Sequence, residues 1–138
     1  MKIIETSDIA ACHALRRAVF IQEQRVPEAD EMDDLDDQAI HLLATEGDRP
    51  VGTARVLIKN EVGKIGRVCV LADRRGTGLG AALIRAALGV LRDRDVAQAR
   101  LGSQTHAIGF YEKLGFVAEG PVYDDAGIPH RDMALNLK

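Results

Sequence analysis

The chain has 138 residues, of which 46% are hydrophobic, and its formal net charge is −3. This length predicts one domain over residues 1–138. The chain lacks a strong excess of basic residues, so we expect no nucleic-acid partner. It also lacks an apolar run of roughly 20 residues, so we expect a cytoplasmic protein without a membrane partner. The two cysteines, Cys12 and Cys69, have neither C-x-x-C nor Cys/His spacing, so we expect no disulfide framework and no metal site.

The N-terminal half is predicted to contain one helix followed by three strands. Residues 2–5 form a short apolar segment, and a hydroxyl cap at Thr6 or Ser7 then predicts the start of a helix over 8–22. Short turns separate the strands that follow, which favours an antiparallel meander. These strands are predicted over residues 39–46, 51–58 and 62–71.

Seven acidic residues and no basic residue lie between residues 28 and 37. The commonest arrangement for such a run is a solvated loop. The run lacks the central glycine and the alternating ligands of an EF-hand loop, so calcium binding is not expected.

The C-terminal half is predicted to alternate helices and strands, which gives a mixed α/β fold. Helices are expected over 78–92 and 105–114, the second closed by Gly115 in a left-handed conformation. Strands are expected over 97–103, 116–119 and 131–137, with a turn at 124–127. The apolar face of the first of these helices is predicted to consist of Leu79, Ala82, Leu83, Ala86, Val90 and Leu91.

The clearest candidate site is the turn from the third predicted strand into the helix, which contains Gly76, Gly78 and Gly80. Glycines let backbone amides approach a ligand, and the first amides of a helix lack carbonyl partners and suit a phosphate. Arg74 and Arg75 would add positive charge. The turn therefore predicts an anion site, although a purely structural turn with solvated arginines would show the same residues.

A dinucleotide enzyme is an alternative, because Gly76, Gly78 and Ala81 satisfy G-x-G-x-x-G/A. Two observations argue against it. The next strand carries no acidic residue at its end, over 99–103, and too few residues follow Gly76 for a doubly wound sheet. The chain also lacks G-x-x-x-x-G-K-[S/T], which excludes a P-loop nucleoside triphosphatase.

Two motifs resemble those of the GNAT acetyltransferase superfamily. Arg75-Gly76-Thr77-Gly78-Leu79-Gly80 matches its pyrophosphate signature [Q/R]-x-x-G-x-[G/A], and the segment from Gln104 to Phe116 is similar to its downstream Asn-x-x-Ala, Tyr and Leu-Gly-Phe pattern. The resemblance covers essentially the whole chain. It implies a mixed, mostly antiparallel sheet flanked by helices, with a V-shaped opening between the fourth and fifth strands.

The resemblance further implies that acetyl-coenzyme A is the cosubstrate. The splayed strand would offer backbone groups to the pantetheine arm, and the glycine turn would hold the pyrophosphate. Gln104 stands where the family commonly has an asparagine that contacts the cofactor. The residues expected to bind acetyl-coenzyme A are Val68, Cys69, Val70, Arg74, Arg75, Gly76, Thr77, Gly78, Leu79, Gly80, Ala81 and Gln104.

The implied reaction is direct transfer of the acetyl group to an amine of a small molecule or peptide. Tyr111 would be the general acid beside the cofactor sulfur, whereas periodicity alone favours a packed aromatic on a stripe with Ile108 and Leu114. Cys69 is expected to be an inert buried thiol rather than a nucleophile. A binding or sensing module without turnover is the other interpretation.

The acceptor side is less defined. His41, Arg55, Arg67 and His130 are the residues expected to meet the acceptor, and the general base is open among His41, His106, His130 and water. The acidic run favours a cationic amine, whereas the two arginines favour an acceptor that carries a carboxylate. An exposed strand edge would allow a homodimer.

Overall fold

A computed structural model describes residues 1–138, and its seven strands form one sheet. The strands are β1 (Lys2–Thr6), β2 (Ile40–Glu46), β3 (Arg49–Lys59), β4 (Val62–Val70), β5 (Gln98–Gln104), β6 (Val117–Asp125) and β7 (Ile128–Asn136). Their spatial order is β1-β2-β3-β4-β5-β7-β6, and every neighbouring pair is antiparallel except β4 and β5. The predicted mixed α/β class with a mostly antiparallel sheet is confirmed.

Four α-helices accompany the sheet: α1 (Ile9–Arg16), α2 (Glu28–Glu31), α3 (Leu79–Asp93) and α4 (Ile108–Glu112). A π-helix over Arg17–Glu23 continues α1, so the segment predicted as one helix over 8–22 changes its hydrogen-bonding pattern halfway. Short 3₁₀ turns cover Asp36–Gln38, Ala72–Arg74 and Thr105–Ala107.

The cap of α1 differs from the prediction. The side chain of Asp8 accepts from the backbone nitrogen of Ala11 at 3.1 Å and is the cap. The hydroxyl of Thr6 instead accepts from the backbone nitrogen of Asp8 at 3.0 Å. The prediction of a Thr6 or Ser7 cap was wrong because three candidate capping side chains are adjacent in sequence, and only the position of the first helical turn distinguishes them.

Both edges of the sheet extend beyond the predicted strands. Residues 2–6 form β1, which pairs with β2 along its whole length. At the other edge, β6 and β7 form a hairpin around Ala126 and Gly127, so the strands predicted over 116–119 and 131–137 are longer than expected. Most side chains of β6 are exposed, so the strand lacks the alternation of apolar and polar residues from which strands are predicted.

The sheet has a separate core on each face. Leu42 and Ala44 belong to the large core under α3, whereas Leu43 between them belongs to a smaller cluster under α1, as alternation along a strand requires. The buried face of α3 consists of Leu79, Leu83, Ile84, Ala87, Leu88 and Leu91. The predicted face was therefore partly wrong: Ala82, Ala86 and Val90 are only half-buried, because the helix is rotated towards Ile84 and Leu88.

The sheet opens between β4 and β5. These strands pair in parallel only where residues 62–64 lie beside 98–100, and beyond that point they diverge. The predicted V-shaped opening between the fourth and fifth strands is confirmed. In the second helical segment, α4 is short and Gly115 follows it with a φ of +101°, the predicted left-handed stop. No helix of the chain is both long enough and apolar enough to cross a membrane.

Candidate active site

The opening between β4 and β5 contains a cleft of about 310 Å³. Val68 of β4, Gln104 of β5, Tyr111 of α4 and His130 of β7 all line it. A second cavity of about 550 Å³ adjoins this cleft and shares Val68 and Gln104 with it. It extends to Arg75, the residue that directly precedes Gly76 of the glycine turn.

The glycine turn presents a row of unpaired backbone amides. Gly76 and Gly78 have φ values of +77° and +85°, a region that L-residues with a side chain rarely adopt. The first helical hydrogen bond runs from Ala82 N to Gly78 O, and no backbone N–H of residues 76–81 donates to a protein oxygen. A Cβ added at Gly76 or Gly78 would meet no atom within 4 Å, so no neighbouring side chain packs over these two glycines. This cradle at the N-terminus of α3 fits a diphosphate.

The two arginines beside the turn are paired within the protein. Arg74 donates to the carboxylate of Glu46 from two nitrogens, at 2.9 and 2.5 Å. Arg75 donates to Glu23 and also to the carbonyl of Val70, at 3.2 and 3.1 Å. Their charges are therefore partly neutralised where the sequence predicted free cations.

The contact with Arg75 shows that the Val70 carbonyl points away from β3, towards the opening. Leu71 N, by contrast, donates to Val51 O of β3. Because hydrogen-bonded and non-hydrogen-bonded residue pairs alternate along an antiparallel ladder, the backbone groups of Cys69 also point towards β3, at Thr53. Between these strands a bulge places Arg67 at a φ of +51°. A pantetheine arm would therefore find backbone groups of Val70, rather than those of Cys69, at the open edge.

Cys69 is buried in the small core under α1. This burial raises the pKa of its thiol to about 12, so no thiolate forms near neutral pH. The structure agrees with the expectation of an inert thiol.

Tyr111 both packs against the core and lines the cleft. Its ring packs edge-on against Phe116, with centroids 6.0 Å apart, and together with Ile108 and Leu114 it contacts the large core. The residue also lines the cleft, and its hydroxyl makes no hydrogen bond to the protein. Burial raises the pKa of Tyr111 to about 12, so the phenol keeps its proton throughout the neutral range.

Gln104 is held at the junction of the two cavities. Its Nε2 donates to the side-chain oxygen of Gln24 at 3.1 Å, and its Oε1 lies 2.7 Å from Nε2 of His106. The amide is therefore oriented from both ends, and Gln24, which the sequence analysis did not single out, lines both cavities. No motif marks Gln24, because it lies beyond the end of the helical pattern.

Two charged residues of the cleft, Glu31 and Arg67, belong to a cluster of ion pairs. We define the ion-pair cluster as Arg16, Arg55, Arg67, Glu31, Asp33 and Asp36. Three positive and three negative charges balance in it, so part of the acidic run is not a solvated loop. The run closes over the arginines instead. Sequence reasoning missed Arg16, because its position on a helix looks solvent-facing although its side chain is only 2% exposed.

The structure divides the four residues expected at the acceptor side into two groups. Arg55 is bound by Asp33 and Asp36, and His41 is buried with Nε2 2.9 Å from the Asp36 carbonyl, so neither lines the cleft. Arg67 and His130 do line it. Arg67 donates to the Glu31 carbonyl and to Asp33. Tyr123 also lines the cleft, although no sequence motif indicated it.

A sheet that opens at its one parallel pair, with unpaired amides at the start of α3 and a protonated phenol in the cleft, is the arrangement expected of a coenzyme A-dependent acyltransferase. The family model described as acetyltransferase (GNAT) domain matches residues 7–137, and the chain belongs to this family. Acetyl-coenzyme A is accordingly its cosubstrate, which the cradle and the open edge of β4 are suited to hold.

Individual relatives and solved structures are similar to this chain over most of its length. The chain is 37% identical to the uncharacterized N-acetyltransferase YjcF of Bacillus subtilis (strain 168), an alignment that covers 86% of each chain. It is 36% identical to the protein ElaA of Escherichia coli (strain K12), over 97% of this chain and 91% of ElaA. The crystal structure of an acyl-CoA N-acyltransferase from Pseudomonas aeruginosa superposes with a TM-score of 0.86 at 30% identity, covering 97% of both chains.

Proposed function

We propose that this chain, as one domain over residues 1–138, moves the acetyl group of acetyl-coenzyme A directly to a primary amine of a small molecule or peptide. One observation carries the proposal: Tyr111 lines the cleft between β4 and β5, and the cavity that adjoins this cleft reaches Arg75, next to the unpaired amides of the glycine turn. The cradle would fix the diphosphate, and the open edge of β4 would direct the pantetheine arm towards Tyr111.

Acetyl-coenzyme A supplies an acyl group activated as a thioester. The amine nitrogen would form a bond to the carbonyl carbon and lose one proton to a base, the carbon–sulfur bond would break, and Tyr111 would donate its hydroxyl proton to the departing sulfur. A free thiol has a pKa of about 8.5, so this donation would be uphill if the sulfur were in water. Desolvation of the sulfur in the cleft would raise its proton affinity towards that of the phenol.

Direct transfer is favoured over a covalent acyl-enzyme. The one cysteine near the β4 edge, Cys69, is buried and holds its proton, so it is a poor acyl acceptor. Steady-state kinetics test this point. Initial-velocity lines that intersect when both substrates are varied are expected for direct transfer, whereas parallel lines would indicate an acyl-enzyme.

The charges at the cleft guide the choice of acceptors to be tested. Asp30 and Asp125 line it without an ion pair, as does Lys64, whereas Glu31 is neutralised inside the ion-pair cluster. Two acceptors with the same four-carbon chain separate the alternatives: 1,4-diaminobutane carries a second amine, and 4-aminobutyrate carries a carboxylate.

The decisive assay follows thiol release from acetyl-coenzyme A with these two acceptors, amino acids, polyamines and peptides with free N-termini. Acceptor-dependent thiol release, with an acetylated amine identified by mass spectrometry, is the expected result. Tight binding of acetyl-coenzyme A with no transfer to any amine would instead favour a binding module and would overturn the proposal.

A further inference from the structure

His130 lines the cleft with one ring nitrogen that has no partner in the protein. Its Nδ1 lies 2.7 Å from the carbonyl oxygen of Ile128. A carbonyl can only accept a hydrogen bond, so Nδ1 must carry the proton, and in the neutral ring Nε2 is left with a lone pair. Nε2 makes no hydrogen bond to the protein, and the residue lines the cleft together with Tyr111.

The ring of His130 is held in this orientation by its neighbour on β6. Tyr123 is the cross-strand partner of His130, and the two rings stack with centroids 6.0 Å apart and an angle of 24° between their planes. The Tyr123 hydroxyl donates to Asp132 at 2.8 Å, which fixes the tyrosine in turn. This arrangement requires Gly102, because a Cβ at that position would lie 2.5 Å from the Tyr123 hydroxyl.

The other histidines lack a comparable free nitrogen in the cleft. His41 is buried with its Nε2 against the Asp36 carbonyl, and His13 contacts the Asp36 carboxylate at 2.8 Å. His106 contacts Gln104 and lines only the cavity near the glycine turn. His130 is therefore the one imidazole with a free nitrogen on the acceptor side.

We infer that His130 is the general base of the transfer, and that its Nε2 takes the proton which the acceptor amine loses as it attacks the thioester. The inference rests on the proposed acetyl transfer. His130 and Tyr111 then act as a pair: one proton passes from the amine nitrogen to Nε2, and another passes from the phenol to the sulfur. Solvent exchange returns a proton to Tyr111 and removes one from His130, so both residues end in their starting states.

Several other titratable groups face the same cleft and have to be separated from His130 in a pH profile. Carboxylic acids ionise about two pH units below imidazoles, and phenols well above them, so an imidazole limb is distinguishable by its position. These groups are Asp30, Glu31 and Asp125, Lys64 and Arg67, and Tyr111 and Tyr123.

The test compares His130→Asn with the parent, because the asparagine amide can still donate to the Ile128 carbonyl but offers no base. We expect kcat to fall about 100-fold, the usual minimum for loss of a general base. Affinity for coenzyme A, measured by calorimetry, should stay within about twofold, because the phosphate cradle is untouched. The acidic limb of the parent kcat/KM profile should disappear. In His130→Ala, added imidazole should restore part of the lost turnover.

Two results would overturn the assignment. Turnover of His130→Asn within about threefold of the parent would exclude a base role outright. A loss that is equal at every pH and that imidazole does not reverse in His130→Ala would indicate a packing role. Either result leaves the proposed function intact if the parent still acetylates an amine, whereas a parent that releases no thiol would refute acetyl transfer itself.

Discussion

Arg75 and Glu23 form a two-nitrogen ion pair, at 2.5 and 2.9 Å, that joins the glycine turn to the end of the π-helix. The same guanidinium covers the Val70 carbonyl, which lies on the edge expected to receive the pantetheine arm. The hydrogen bond from Arg75 lowers the pKa of the Glu23 carboxyl, so this carboxylate stays charged in the neutral range. A bound diphosphate would have to compete with Glu23 for Arg75.

Substitution of Glu23 by Gln should therefore strengthen coenzyme A binding. Both side chains of the pair are more than 40% exposed, and exposed ion pairs are worth about 0.2–1 kcal/mol, so we expect a gain in affinity of about 1.4- to 5-fold at low salt. Calorimetry at low and high ionic strength measures it, and the gain should shrink as salt screens the pair.

Glu5→Gln is the matched control for this experiment, because Glu5 forms an exposed ion pair with Arg94 at a site unrelated to the turn. Its coenzyme A affinity should equal that of the parent. Weaker binding by Glu23→Gln would mean that Glu23 orients Arg75 for the ligand instead of competing with it.

The glycine turn and Tyr111 could be predicted because their signals are local. The start of a helix, the glycines that allow positive φ values and the motif around Tyr111 can each be recognised within a short segment of sequence. The acceptor side could not be predicted in this way. His41 and Arg55 are cross-strand partners on one face of the sheet, and alternation along a strand does not say which face meets the cleft.

The positions of His41 and Arg55 are decided by packing. The acidic run folds over their face and supplies Asp33 and Asp36 as partners, so two residues expected at the acceptor became part of the interior. His130 shows the opposite case. Its free nitrogen depends on a carbonyl two residues away and on a tyrosine of the neighbouring strand, a relation that only the register of β6 and β7 creates.

Gly78→Glu should abolish coenzyme A binding. The substitution places a carboxylate among the unpaired amides where the diphosphate is expected, and the two anions repel each other. The positive φ adds strain of about 1–2 kcal/mol, which has to be distinguished from the electrostatic effect.

Gly47→Glu is the control for Gly78→Glu, because Gly47 has a φ of +62° in the β2–β3 turn and its Cβ would also meet no atom within 4 Å. We expect a similar loss of stability in thermal melts of both variants, with coenzyme A binding retained only in Gly47→Glu. Unchanged affinity in Gly78→Glu would contradict the diphosphate cradle.

Tyr111→Phe should lower kcat by about 100-fold or more, the range for removal of a general acid, while the affinity for coenzyme A changes little. The ring contacts with Phe116 and the large core do not involve the hydroxyl, so the variant should keep the stability of the parent. Because burial raises the pKa of Tyr111 to about 12, the pH dependence of kcat should show no limb from this residue below about pH 10, in the parent or in the variant. A variant with the turnover of the parent would remove Tyr111 from the mechanism.

The ion-pair cluster should make folding stability sensitive to acid. Although burial acts in the opposite direction, hydrogen bonds from Arg16, His13 and Arg55 hold the pKa of Asp36 well below its usual range. A carboxyl whose pKa is lower in the folded state stabilises the fold above its ordinary pKa and loses this contribution as the pH falls. We therefore expect the urea midpoint to decrease below about pH 4.

Asp36→Asn tests this cluster directly. Removal of one partner from a buried ion pair costs about 3–5 kcal/mol, and the cost should be high here because Arg16 Nη2 and Arg55 Nε are already buried without an acceptor. The variant should be less stable at pH 7 and less dependent on pH below about 4. Asp37→Asn is the control, since Asp37 is exposed and unpaired, and it should match the parent in both respects. Equal stability of Asp36→Asn and the parent would contradict a stabilising role of Asp36 in the ion-pair cluster.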